Sequence, residues 1–183
     1  MRKELILLLL SASLTECYPF NAEPRSVKAI ADKNPYLEQV ILETLDVKGD
    51  QYDNLFAYAS EDPIAPASVS TSLDATADDA NWVFSPDGQT AVAINATTSE
   101  PDSSLDIYNR LNDQTVERLE FCGTPCEYLG VYWLDNSNFA FVQIAENYSP
   151  ESDQPDGHVL MVHQYDLSDS TMAEYRSAKL EED

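Results

Sequence analysis

Apolar positions recur along this chain in three rhythms, and each predicts a different kind of element. An unbroken run, Leu5 to Leu10, follows Arg2 and Lys3. In "PYLEQVILETLDV", residues 35–47, Leu37, Val40, Ile41 and Leu45 form one helical stripe, with Asn34 placed as cap and Pro35 in the first turn. The same residues also read as a strand, because Val40-Ile41 is β-branched and the "KGD" turn at 48–50 leads into "NLFAYAS". From Trp82 onward the rhythm is that of short β-prone runs divided by turn residues.

The clearest turn lies in "NWVFSPDGQTAVAI", residues 81–94. Ser85-Pro86-Asp87-Gly88 suits a type I turn, with Pro86 fixing φ at its second position and Gly88 relieving the exit. Trp82 and Phe84 precede it and Ala91 to Ile94 follow it, which predicts a hairpin. The hairpin recurs. Placing "FSPDGQTAVAI" over "WLDNSNFAFVQI" pairs Phe84 with Trp133, Pro86 with Asp135, Gly88 with Ser137 and Ala91 with Ala140. Each copy continues into a third strand ("LDIYNRLNDQ", "VHQYDLSDS") and a fourth ("TVERLEF", "TMAEYRS"). Two four-strand units of near fifty residues predict an all-β repeat architecture of propeller-like blades.

The second strand of each unit, "TAVAI" and "FAFV", is apolar on both faces and so suits a sheet interior. The fourth strand alternates: Leu119 and Phe121 on one side, Arg118 and Glu120 on the other, as for an outer strand with one wet face. Upstream, residues 18–34 read as an irregular tether or first strand, and 63–81 as a linker or poor edge strand. The predicted division is a signal segment 1–16, an N-terminal segment 17–80 and two repeats over 81–183. Residues 52–73 would supply outer strands of an incomplete leading blade, giving an open ring completed by another chain. A small sandwich of the two sheets is the alternative.

The N-terminal run has the length of a secretory signal and is too short to span a bilayer. Cysteine usage fits export, for one cysteine near the cut leaves Cys122 and Cys126 as a pair. In "CGTPC" a glycine and a proline allow a tight turn that a disulfide could close, and two free cysteines are the rival reading. The chain carries 10 Lys plus Arg against 33 Asp plus Glu, a net charge of −23. Such a surface repels nucleic acid and anionic headgroups, and draws cations or a basic partner. Acids spread along the whole length also fit plain solvation.

"WVFSPDGQTAVAI" resembles the repeat of TolB-type and related WD-like β-propellers, whose blades carry a W-S-P-D-G hairpin between their first two strands. The resemblance covers residues 81–178, with Phe84 where the family has its tryptophan and a degenerate second copy. It implies a protein-docking or substrate-gating module. Leu14-Thr15-Glu16-Cys17 similarly resembles the lipobox of bacterial lipoproteins, which implies lipidation at Cys17 and a membrane anchor. Glu16 stands where that motif has a small residue, and cleavage after Ser11-Ala12-Ser13 is the competing outcome.

No Gly-x-Ser-x-Gly elbow, phosphate-binding glycine loop or His-Glu-x-x-His occurs. His158 and His163 lie five apart on an expected strand and so face opposite ways, His163 as a packed or surface histidine. Asp74, Asp78 and Asp79, and Glu151, Asp153 and Asp156, gather oxygen ligands as calcium would need, without an EF-hand spacing; ordinary solvated loops are the plainer reading. Asn95 and Asn147 open glycosylation triplets. Tyr132, Trp133, Phe139 and Phe141 bring more apolar area than one small sheet can bury, which predicts self-association or a protein partner. The expected function is non-catalytic, cofactor-free binding by an exported protein, against a hydrolase or peptidase remnant and a calcium-dependent surface protein.

Overall fold

A computed structural model describes residues 26–64, 66–69, 82–96, 103–109, 116–123, 125–148 and 154–180. The signal segment, Cys17 and residues 70–81 lie outside them. The described chain is mostly β, in keeping with the all-β expectation, and no described helix is long and apolar enough to cross a membrane.

Two short helices come first. Helix α1, Val27–Ala31, starts at Ser26, whose hydroxyl accepts from Ala29 N at 3.1 Å. In the described part of the stretch 18–34, a helix thus stands where a tether or strand was expected. Helix α2, Pro35–Leu45, follows the helical stripe rather than the rival strand. The Asn34 side chain accepts from Tyr36 N and Leu37 N, and Pro35 costs nothing in the first turn because its missing N–H has no helical partner there. The helix ends at Asp46 with φ 49°. A 3-10 stretch, Gly49–Leu55, leads on to the strands.

Ten strands follow: β1 Phe56–Pro63, β2 Ala67–Val69, β3 Trp82–Phe84, β4 Thr90–Ala96, β5 Ser103–Asn109, β6 Val116–Cys122, β7 Glu127–Trp133, β8 Asn138–Tyr148, β9 Pro155–Asp166 and β10 Thr171–Lys179. Each repeat folds as an antiparallel meander, β3-β4-β5-β6 and β7-β8-β9-β10. Each meander gains a fifth strand beside its last one, giving orders β2-β6-β5-β4-β3 (first sheet) and β1-β10-β9-β8-β7 (second sheet). This corrects the four-stranded expectation. It also removes the incomplete leading blade, because β1 and β2 pair with different sheets and not with each other.

The structure forms three layers. The helices cover one face of the second sheet through Val27, Ile30, Leu37, Ile41 and Tyr52 against Ala140, Val142, Leu160, Val162 and Tyr175. The other face of that sheet packs on the first sheet, with Phe139, Phe141, Trp133 and Tyr165 against Val92, Leu105, Ile107 and Leu119. Both β4 and β8 are buried on both faces, as their apolar runs required. Phe139 and Phe141 are fully buried and Trp133 nearly so. Tyr132, the fourth aromatic of that group, is half-buried.

Strand register gives the sense of the stacking. Phe84 pairs with Ala91 and Trp133 with Phe139, while Ala91 pairs with Tyr108 and Phe139 with Tyr165. Ala91 is thus equivalent to Phe139, and the alignment with Ala140 is one residue out after the turn. The cause is the turn itself: Ser85 N donates to Thr90 O, but Leu134 N donates to Asn138 O, a loop shorter by one. A one-residue slip exchanges the faces of a strand. Phe139 faces the first sheet, whereas its equivalent Ala91 faces away from the second. Equivalent positions hence point in one direction through the stack, front to back. On the outward face of the first sheet, Trp82 and Tyr108 flank β4 with ring centroids 5.8 Å apart and roof the fully buried Ala91 and Ala93.

Candidate functional site

The inner ends of both sheets are the edge strands β3 and β7. They lie side by side, and Trp133 Nε1 donates to the Val83 carbonyl at 2.8 Å. Edge strands in soluble proteins are ordinarily guarded by charge, proline or a bulge. Trp82–Phe84 has no charged residue and β7 has only Glu127, in a chain with 33 acids. Val83 is 41% exposed and Phe84 50%. Val83, Ile94, Gly130, Val131 and Tyr132 line a mainly apolar cavity of about 320 Å³ between the edges. Gly130 sits at a register break opposite Val142, and a Cβ there would lie 2.8 Å from Tyr132 Cζ, so glycine keeps the Tyr132 ring against the strand. A separate polar cavity of about 240 Å³ beneath α1 is lined by Asp166 and Asp169, whose carboxylates are engaged by Ser168 N and by Thr171.

The hairpin of Ser85, Pro86, Asp87 and Gly88 joins β3 to β4, two residues beyond the Val83 that lines the apolar cavity. Gly88 N donates to Ser85 O at 2.8 Å, the bond of a β-turn, and Gly88 has φ 69°. Asp87 accepts from the Ser85 hydroxyl and from Gln89 N, and these bonds hold its carboxyl below the usual range. In the second hairpin Asp135 accepts from Ser137 N and Asn138 N, again with a lowered pKa despite some burial. Two turns of different sequence thus use an aspartate for the same local bonding.

Cys122 and Cys126 are joined by a disulfide with Cα atoms 5.5 Å apart, closing the connection from β6 to β7 where the chain crosses between sheets. His163 and His158 share β9. His163 is buried and stacked on Phe141 with centroids 4.4 Å apart, and burial lowers its pKa to about 4. Asp74, Asp78, Asp79, Glu151 and Asp153 lie outside the described residues. Asp156 accepts from Asn147 Nδ2 at 2.9 Å and pairs with Lys179, and Asn95 donates to Asp106. Among the described residues, no group of three His, Cys, Asp or Glu side chains is arranged to hold a metal.

One group escaped the sequence reading. Glu120 does not face solvent. Register runs Leu105 with Glu120 and then Asp106 with Arg118, so Leu119 is an extra residue and β6 bulges there. A bulge re-aims the side chain that follows it. Glu120 consequently joins Leu119 on the side facing the second sheet, near Tyr128, Gln143 and Glu174. Burial first, then the Glu174 charge, raises its pKa to about 7, against the pull of Tyr128 and Gln143. Its Oε2 and the Tyr128 hydroxyl have no partner of hydrogen-bonding geometry among the described residues. No alternation rule reveals such a site; only strand pairing does.

No protein family, curated protein or solved structure matches this chain.

Proposed function

We propose that this chain is a non-catalytic binding protein of propeller-like build, whose paired inner edges receive an uncharged, β-prone strand of a partner protein. The observation that carries this reading is the edge of β3 and β7, charged only at Glu127, with its apolar cavity, in a molecule of net charge −23. Elsewhere the carboxylates keep other acidic surfaces apart; this edge offers apolar side chains on two unextended sheet ends with little repulsion. Front-to-back stacking of the two meanders supports the propeller comparison over a two-fold sandwich, since successive blades must repeat in one sense. The cysteine pair and the N-terminal run support work outside the cytoplasm, with Cys17 as the proposed lipid site.

The test compares Val83→Lys with the wild type. A lysine at this half-exposed edge leaves the fold intact and blocks strand addition. Cross-linking capture from native envelopes should yield one partner that the variant loses at an unchanged melting temperature. Equal capture by both proteins would remove the edge from the function.

A further inference from the structure

The seam between the two sheets contains a polar row inside an otherwise apolar layer. Glu120 enters it from β6, Tyr128 from β7, Gln143 from β8, His163 from β9 and Glu174 from β10. Gln143 is the centre: its Nε2 lies 3.0 Å from His163 Nε2 and 3.7 Å from Met161 Sδ, and its Oε1 is 3.6 Å from Cys126 Sγ of the disulfide. His163 Nδ1 is buried without a partner among the described residues, as are Glu120 Oε2 and the Tyr128 hydroxyl. A carboxyl here is tolerable when neutral, because it then needs no counter-charge.

Ionised, it would be paired with no cation among the described residues. Arg118, its neighbour on β6, is bound to Asp106 on the opposite face of the sheet. Arg176 donates to Asn147, and its charge acts on Glu174. His163 is neutral at ordinary pH. On the seam face of β10, Glu174, with Asp62 of β1 behind it, acts against a second carboxylate, and Arg176, in register with Met161 and Gln143, is engaged by Asn147. Glu117, also on β6, lies near Tyr165 farther along the strand. The carboxylates on the seam face oppose a second one.

We propose that Glu120 is a proton-operated latch on the sheet–sheet seam: its neutral carboxyl lets the meanders stay packed, and loss of the proton to solvent drives the side chain and β6 away from the second sheet. The disulfide at the β6–β7 crossover, two residues from Glu120, holds that end of the seam, so the opening runs from Glu120 along β6 away from the bridge. The bulge at Leu119 is the structural device, since without it Glu120 would point to the other face. This inference does not depend on the partner reading above.

The experiment is native-state hydrogen exchange with denaturation midpoints, from about pH 5 to about pH 8, on wild type and Glu120→Gln. His163 slopes the other way in the same range, so the difference between the two proteins is the reading and not the wild-type curve alone. From the low to the high end of the range, protection at the β6 and β8 seam amides in wild type should fall relative to Glu120→Gln by roughly tenfold or more, the His163 slope being common to both. Amides of α2 should behave alike in both. A Glu174→Gln variant, which keeps Glu120, should shift the loss to lower pH. Equal protection losses in wild type and Glu120→Gln, or a Glu120 carboxyl titrating by NMR in the ordinary carboxylate range, would overturn the latch.

Discussion

The indole of Trp133 donates to the carbonyl of Val83 across 2.8 Å, and this bond fastens the inner edge of one sheet to the inner edge of the other. It also gives the repeat a geometric meaning. Trp133 ends β7 as Phe84 ends β3, yet Trp133 is buried between the sheets while Phe84 lies half-exposed at the far side of the stack.

Trp133→Phe keeps an aromatic ring against Phe139 but leaves the Val83 carbonyl without its donor. The expected loss is about 1–2 kcal/mol in a urea or guanidinium titration. A midpoint within error of wild type would show that the two edges are held by packing alone.

Gly88 is required by conformation and not by space, since φ is 69° and nothing lies within 4 Å of an added Cβ. Gly88→Val should therefore destabilise by about 1 kcal/mol or more, because a β-branched residue is strained at positive φ. Gly88→Asn should recover most of that loss, as asparagine tolerates the left-handed region. Thermal melts of both variants separate this account from a steric one, in which valine and asparagine would be equally harmful.

The Cys122–Cys126 bridge closes a very short loop. The chain-entropy estimate for such a loop is about 2 kcal/mol, which reduction or Cys122→Ser should remove. Mass spectrometry of the intact protein checks the bond directly: alkylation without reductant should leave both sulfurs unmodified. Labelling of either cysteine would contradict the bridge.

The pH profile carries two opposing contributions. Glu120 has a folded pKa of about 7 against 4.5, so the native state holds its proton longer than the unfolded chain. Stability is then lost as pH rises from about 4.5 to about 7, by up to about 3 kcal/mol. His163 has a folded pKa of about 4 against 6.5, so the unfolded chain binds the proton first on acidification. Its contribution is present above about pH 6.5 and lost as pH falls towards about 4, by a similar amount. The wild type should look nearly flat between these limits. Removing Glu120 by Glu120→Gln should expose a rising stability with pH that belongs to His163. A flat profile in that variant would mean that His163 is protonated in the fold.

Sequence alone determined the elements whose information is local. The turn at Ser85 to Gly88, the strands that follow it, the antiparallel meander and the buried character of β4 and β8 all rest on short-range patterns of turn residues and apolar runs. The α2 helix was legible as one of two readings, and the Asn34 cap and the apolar stripe facing the second sheet decided between them. Tertiary structure decided the rest. Strands β1 and β2 are close in sequence but join different sheets, because a strand's partner depends on which open edge the returning chain meets. A turn shorter by one residue shifted the second hairpin and with it the face of every residue on β8. The extra residue at Leu119 carried Glu120 from an expected wet face into the seam. Pairing register is a relation between segments far apart along the chain, and one residue's difference in it exchanges inside for outside; that is why the polar seam could not be read from the pattern of a single strand.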